Sequence, residues 1–153
     1  MIATARASFT IRPIEERDRA GWEPLWQGYL RFYKTSLPDD VTDMTWARFF
    51  NPQEQLYALV AEQDGRLIGI AHYLLHRSTW ARQCYCYLED LYVDENIRGG
   101  GAGRALIEAV ESAAMRAGAS RLHWMTHQSN ARAQMLYNDV AERSEFIQYR
   151  KQL

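Results

Sequence analysis

Two acidic side chains, Glu89 and Asp90, stand inside the apolar stretch Tyr87-Leu-Glu-Asp-Leu-Tyr-Val93, just ahead of a polar turn at Asp94-Glu95-Asn96 and a glycine cluster. If the stretch is extended, Glu89 shares a face with Tyr87 and Leu91. Asp90 then points to the other face unless a bulge falls between the two. A carboxylate among apolar neighbours loses solvation, so its pKa rises and it becomes a better proton acceptor near neutral pH. Glu89 is therefore the candidate general base. Asp90 is the runner-up, either as base or as an anchor for a substrate ammonium. The plainer alternative for Glu89 is a solvated or ion-paired strand residue.

The glycines Gly99, Gly100, Gly101 and Gly103, with Ala102 among them, lie between the end of this strand and a helix that begins near Ala102. Glycines at a strand-to-helix turn let backbone N–H groups approach a ligand closely. The helix N-terminus behind them carries partial positive charge, which suits a phosphate or pyrophosphate. Arg98 and Arg104 add charge nearby. A tight turn without a ligand is the alternative. Two nucleotide motifs fail on spacing. The ATPase phosphate loop needs Gly-Lys-Ser/Thr, but Gly103 is followed by Arg104-Ala105. The dinucleotide fingerprint counted from Gly99 and Gly101 lands on Arg104, whose side chain blocks close helix packing. What remains is Arg-x-x-Gly-x-Gly, supplied by Arg98, Gly101 and Gly103.

With a strand before it and a helix after it, this motif resembles the signature of the GNAT superfamily of acetyl-CoA-dependent N-acetyltransferases. Tyr87–Val93 also looks like the stretch of polyamine acetyltransferases in which the glutamate is the base, acting through ordered water. Asn130-Ala-Arg-Ala-Gln-Met-Leu-Tyr137 resembles the family's Asn-x-x-Ala-x-x-Leu-Tyr helix. The resemblance implies that Tyr137 protonates the departing CoA thiolate and that Asn130 contacts the acyl donor. It also implies that the backbone of Leu91, Tyr92 and Val93 pairs with the pantetheine amides at a splayed strand. A phenol is a reasonable donor to a thiolate. Helical spacing alone would make Tyr137 a core aromatic among Ala133, Leu136 and Val140. Trp46-Ala-Arg-Phe-Phe50, Ala71-His-Tyr73 and Ser78-Thr-Trp80 are similar to a subgroup with histone- and D-amino-acid-acetylating members. One departure is Glu145-Phe146, where many members have Gly-Phe.

For the acceptor, Trp26, Tyr29, Phe32 and Tyr33 on the first helix and Trp80 in a later loop form an aromatic-rich set. The resemblance places that helix and loop over the acceptor site. With Asp90 and Glu89, Trp26, Tyr29, Tyr33 and Trp80 would suit a small cation. Core filling is the alternative for Trp22, Leu25 and Trp26.

These side chains need elements to hold them. Phe9–Pro13 suggests a first strand and Glu15–Tyr33 a helix, with apolar residues at three- and four-residue spacings. Thr42 or Asp43 is expected to cap a second helix through Phe50. Leu56–Glu62 and Arg66–Leu75 flank an Asp64-Gly65 hairpin signal. Cys84–Val93 is a strand, the next helix runs to about Ala117 with Gly118 as its stop, and Arg121–Thr126 is a strand. Asn130–Val140 is a helix and Glu145–Lys151 a last strand. This is a mixed α/β layout. The resemblance makes it one acetyltransferase domain over residues 1–153, with a mostly antiparallel sheet splayed at the cofactor strand and about four flanking helices.

Bulk properties exclude other classes. A chain of 153 residues, 47% hydrophobic and 24% charged, suits a single globular domain. A net charge of −1 gives no sign of a nucleic-acid partner. No apolar run reaches spanning length and no signal-peptide core opens the chain, so a cytoplasmic protein is expected. Cys84 and Cys86 are too close on one strand for an unstrained disulfide. The histidines at positions 72, 76, 123 and 127 lie on or beside strands, where four-residue spacing does not gather metal ligands, and no metal is expected. The function expected is acetyl transfer from acetyl-CoA to a small primary amine such as a polyamine, lysine analogue or amino acid. Transfer to a protein lysine or N-terminus is the runner-up, and a non-catalytic acetyl-CoA sensor is the alternative of another class. A homodimer is expected from relatives.

Overall fold

The computed structural model describes residues 8–97 and 99–153. Strand β1 (Thr10–Pro13) leads through a short 3-10 turn (Glu16–Asp18) into helices α1 (Arg19–Phe32) and α2 (Asp39–Arg48). Strands β2 (Leu56–Gln63), β3 (Arg66–His76) and β4 (Cys84–Val93) follow, then α3 (Ala102–Arg116), β5 (Ala119–His123) and α4 (Ala131–Val140). The five strands lie in sequence order. All neighbours are antiparallel except β4 and β5, which are parallel and joined through α3.

Each face of the sheet has its own core. Trp22, Leu25, Trp26 and Leu30 form one stripe of α1 and pack on Ala58, Val60, Leu67 and Ile70. Leu106, Ile107, Val110 and Ala114 of α3 pack against Leu59, Ala61, Ile68, Ala71, Cys86 and Leu88 on the opposite face. Burying each large aliphatic side chain contributes about 1.5–3 kcal/mol, which makes these stripes the main force seating both helices. Asp64 (φ 52°) and Gly65 (φ 75°) form the expected tight hairpin turn between β2 and β3.

Three expected boundaries move. Helix α2 starts at Asp39 after Pro38, so Thr42 does not cap it. The Thr42 side chain is buried and its hydroxyl accepts a hydrogen bond from Trp26 Nε1 at 3.3 Å. Strand β5 stops at His123 because its ladder with β4 ends there. Glu145–Lys151 forms no strand. Alternation makes a strand only where a sheet edge supplies partners, and this tail remains exposed, with Phe146, Ile147 and Tyr149 at 82%, 76% and 90% exposure.

Two irregularities in β4 create the site. The parallel ladder with β5 ends at Tyr87↔His123, while β4 continues to Val93. The two strands therefore part over the second half of β4. On its other side, β4 carries a bulge: His72 pairs with Asp90 and Tyr73 with Leu88, which leaves Glu89 without a partner in the ladder.

Candidate active site

The bulge decides where the two carboxylates point. Before it, Cys86 and Leu88 face α3. After it, Leu91 and Val93 do so, and Tyr92 packs with the α1 core. The extra residue shifts the alternation, so Asp90 turns toward α1 while Glu89 stands exposed at the mouth of the parting strands. The Glu89 carboxyl is nevertheless raised above its ordinary pKa, first by desolvation and then by the Asp90 charge, with His72 acting in the opposite sense.

Asp90 has firm partners. His72 Nδ1 lies 2.9 Å from Asp90 Oδ2, and the Tyr29 phenol also faces the Asp90 carboxylate. Burial, followed by the Asp90 charge, pushes the Tyr29 phenol far above its ordinary value. Tyr29 stacks on Trp26 with 5.5 Å between ring centroids. Trp26 itself is only 6% exposed and lies in the core beneath Tyr29, so the expected substrate contact is not available to it.

Tyr33 lies between the two halves of the site. Its ring meets Tyr29 at 5.0 Å, and its pKa is raised first by burial and further by Asp90. It also acts on Tyr87 and Tyr137. Tyr137 comes from α4, half-buried edge-on against Trp124 at 5.5 Å. Its phenol is pushed up to about 12 by burial and Tyr33, so it keeps its proton at neutral pH. Asn130 is the N-cap of α4. Its Oδ1 accepts from the Ala133 N–H at 3.3 Å, and its Nδ2 donates to Thr126 Oγ1 at 3.4 Å.

The glycine turn lies at the far end of β4. Gly99 (φ 96°) and Gly101 (φ 88°) adopt the left-handed region, and Gly101 is the N-cap of α3. Among the described residues no side chain caps that helix. Its first-turn N–H groups, next to Gly100, Ala102 and Gly103, are thus placed for phosphate oxygens, which fits a phosphorylated acyl donor. Arg104 pairs with Asp139 of α4 at 3.0 Å, which links the two helices flanking the cleft. Arg98 lies outside the described residues. Leu91 and Val93 pack toward α3 and Tyr92 beneath α1, where a Cβ on Gly28 would meet the Tyr92 hydroxyl at 2.7 Å.

Trp80 does not join the site. It is 74% exposed in the loop over the start of β4, where it shares a concavity with Arg82, Gln83, Gly118 and Ser120. That loop folds against the C-terminal end of α3, away from Glu89. Reading along the chain also missed two cross-strand features. One is His72, fully buried beside Asp90. The other is the pair His76 and His123, whose Nε2 atoms approach to 3.1 Å. Both need the pairing of β3, β4 and β5, which no spacing within one strand reveals.

A parting parallel strand pair, a bulged carboxylate and an uncapped helix behind a glycine turn define a class. The family model described as the acetyltransferase (GNAT) family matches residues 22–140, and this chain belongs to that family and is an N-acetyltransferase. It is 39% identical over 143 residues to the D-amino-acid N-acetyltransferase HPA3 of Saccharomyces cerevisiae, covering 92% of this chain and 89% of that protein. It is also 30% identical over 142 residues to the N-acetyltransferase YhfO of Bacillus subtilis, covering 91% and 94%. The aminoglycoside N-acetyltransferase AAC(6')-Iy, solved with CoA, shares the fold with a TM-score of 0.81 at 22% identity, over 95% of this chain and 96% of that one. Among the described residues no helix is long and apolar enough to cross a membrane.

Proposed function

We propose that this chain, as a single domain over residues 1–153, transfers the acetyl group of acetyl-CoA to a small primary amine by direct attack in a ternary complex. Glu89 removes the ammonium proton, through water, and Asp90 anchors the cation. Backbone N–H groups from Gly99 to Arg104, with Arg98, hold the diphosphate. The β4 edge at Leu91, Tyr92 and Val93 orients the pantetheine and polarises the thioester carbonyl. Tyr137 donates its proton to the departing thiolate, and Asn130 steadies the donor. Tyr29 and Tyr33 wall the acceptor side.

The observation that carries this reading is Tyr33, which lies within electrostatic reach of Asp90 on one side and Tyr137 on the other. This link supports a shared space for the proposed base and acid beside β4. A free amino acid is the favoured acceptor, supported by the name of the yeast relative and by the tyrosines that narrow the acceptor side. Protein lysine is the competing substrate. Homodimer assembly is proposed from the exposed apolar tail.

The test is CoA-thiol release with acetyl-CoA and a panel of D- and L-amino acids, polyamines and a histone-tail peptide. Turnover of free amino acids or polyamines is expected, with initial-rate lines that intersect. Turnover of the peptide alone would reject the small acceptor, and parallel lines would reject direct attack.

A further inference from the structure

Behind Glu89 runs a buried hydrogen-bonded chain. Trp22 Nε1 of α1 donates to His72 Nε2 of β3 at 3.0 Å, and His72 Nδ1 meets Asp90 Oδ2 of β4 at 2.9 Å. An indole N–H only donates, so Nε2 must accept. The ring proton therefore sits on Nδ1 and donates to the carboxylate. Neither inner member has room to turn, since Trp22 is 0% and His72 1% exposed. Trp22, Trp26 and Phe49 pack around the imidazole at 6.0, 5.3 and 4.7 Å between centroids.

His72 also sits where the register between β3 and β4 breaks. Two residues of β4 compete for the place opposite it, and the one bonded to its Nδ1 is Asp90. Glu89 is then the unpaired residue of the bulge, with its carboxylate left in the cleft mouth.

We propose that His72 is a positioning residue: the Trp22–His72–Asp90 chain sets the bulge, directs Glu89 into the cleft and holds the Asp90 charge beside it. The proposal rests on the reading of Glu89 as base. Among the described residues, the groups facing the carboxylate pair are Tyr29 of α1, Tyr33 just past its end, His72 from β3 and Tyr87 from β4. Arg150 of the tail acts on Tyr87. Among these, Asp90 is the neighbour whose charge opposes ionisation of Glu89.

Three variants test it through kcat and the pH profile of kcat/KM. His72→Gln keeps a polar group toward Trp22 but loses the donor to Asp90. A catalytic group displaced by an ångström loses on the order of 100-fold in rate, so kcat should fall on that order with KM for acetyl-CoA unchanged. His72→Asn restores a donor near the Nδ1 position and should recover most of the loss. Because His72 acts on Glu89 through Asp90, adding Asp90→Asn to His72→Gln should cost little more in kcat, while loss of the cation anchor raises the amine KM of both Asp90 variants. Asp90→Asn alone should move the acid limb to lower pH.

Wild-type kcat and limb in folded His72→Gln, or kcat losses that multiply in the double variant, overturn the proposal. Should His72→Gln not fold, an unmoved acid limb in Asp90→Asn overturns it. Full activity in Glu89→Gln would instead remove the base assignment beneath it, and an inactive wild type would remove the proposed reaction.

Discussion

At the scale of single residues, the proposed mechanism depends on two groups held in opposite protonation states. Glu89 works only when ionised, and desolvation together with Asp90 raises its pKa. Activity carried by Glu89 is therefore present above that raised value and lost as pH falls through it. Glu89→Gln is expected to lower kcat on the order of 100- to 10,000-fold while leaving acetyl-CoA binding in place, as steady-state kinetics and direct titration would show. Tyr137 must remain protonated, and its phenol is pushed up to about 12. Tyr137→Phe should reduce kcat far more than it raises KM for acetyl-CoA, and an unchanged kcat would reject Tyr137 as the acid. Both residues were legible as candidates, because their types and neighbours suit the chemistry. Which way the Glu89 and Asp90 side chains point was not. Alternation alone put them on opposite faces, but which face belongs to which depends on a bulge that exists only in the pairing with β3. Trp26 was misplaced for a related reason: helical spacing puts it on the same stripe as Tyr29, while depth below the surface follows from packing.

At the scale of elements, the donor site needs the chain to turn from β4 into α3 without a side-chain cap. Gly101 makes that turn at φ 88° and ψ 5°. An L-residue in the left-handed region costs about 1–2 kcal/mol, although among the described residues, chain neighbours apart, no atom lies within 4 Å of a Cβ placed there. Gly101→Ala should therefore be destabilised by about that amount in denaturant unfolding. It should also raise KM for acetyl-CoA, because relief of the strain moves the first-turn N–H groups. A variant of full stability with unchanged KM would show that the turn tolerates the substitution and that its glycine serves neither purpose. This element could be read in advance because turn chemistry is local. Helix α2 could not be bounded in the same way. Thr42 has the side chain of a cap, but its hydroxyl is committed to Trp26 across the α1 interface.

For the whole molecule, the first strand and the entry to α1 are tied to the sheet by charge. Arg12 of β1 bonds both oxygens of Asp18, at 2.7 and 2.9 Å, and Glu62 of β2 at 2.9 Å. Arg12 holds the Asp18 carboxyl below its ordinary 3.8. The resulting stability is fully present above that ordinary value and is lost as pH falls through the lowered one. Asp18→Asn should cost about 2 kcal/mol at neutral pH and flatten the loss of Tm below about pH 4; an unchanged acid profile would place the acid sensitivity elsewhere.

The positions of the five strands along the chain were legible because each apolar run up to β5 matches one strand. The tail was not, because alternation in Glu145–Lys151 says nothing about whether an edge is available. That tail bears on assembly. Phe146, Ile147 and Tyr149 remain exposed, while Gln148 reaches Met125 at 3.2 Å and Arg150 acts on Tyr87 beside the carboxylate pair. Apolar side chains gathered on an otherwise polar segment mark a contact surface. If that surface belongs to a second copy, removing residues 145–153 should turn a dimer into a monomer by light scattering. It should leave acetyl-CoA binding intact and weaken the amine KM, since the tail borders the acceptor side and not the glycine turn. A full-length chain that is already monomeric at micromolar concentration would remove the dimer and leave the tail's effect on the amine as its remaining role.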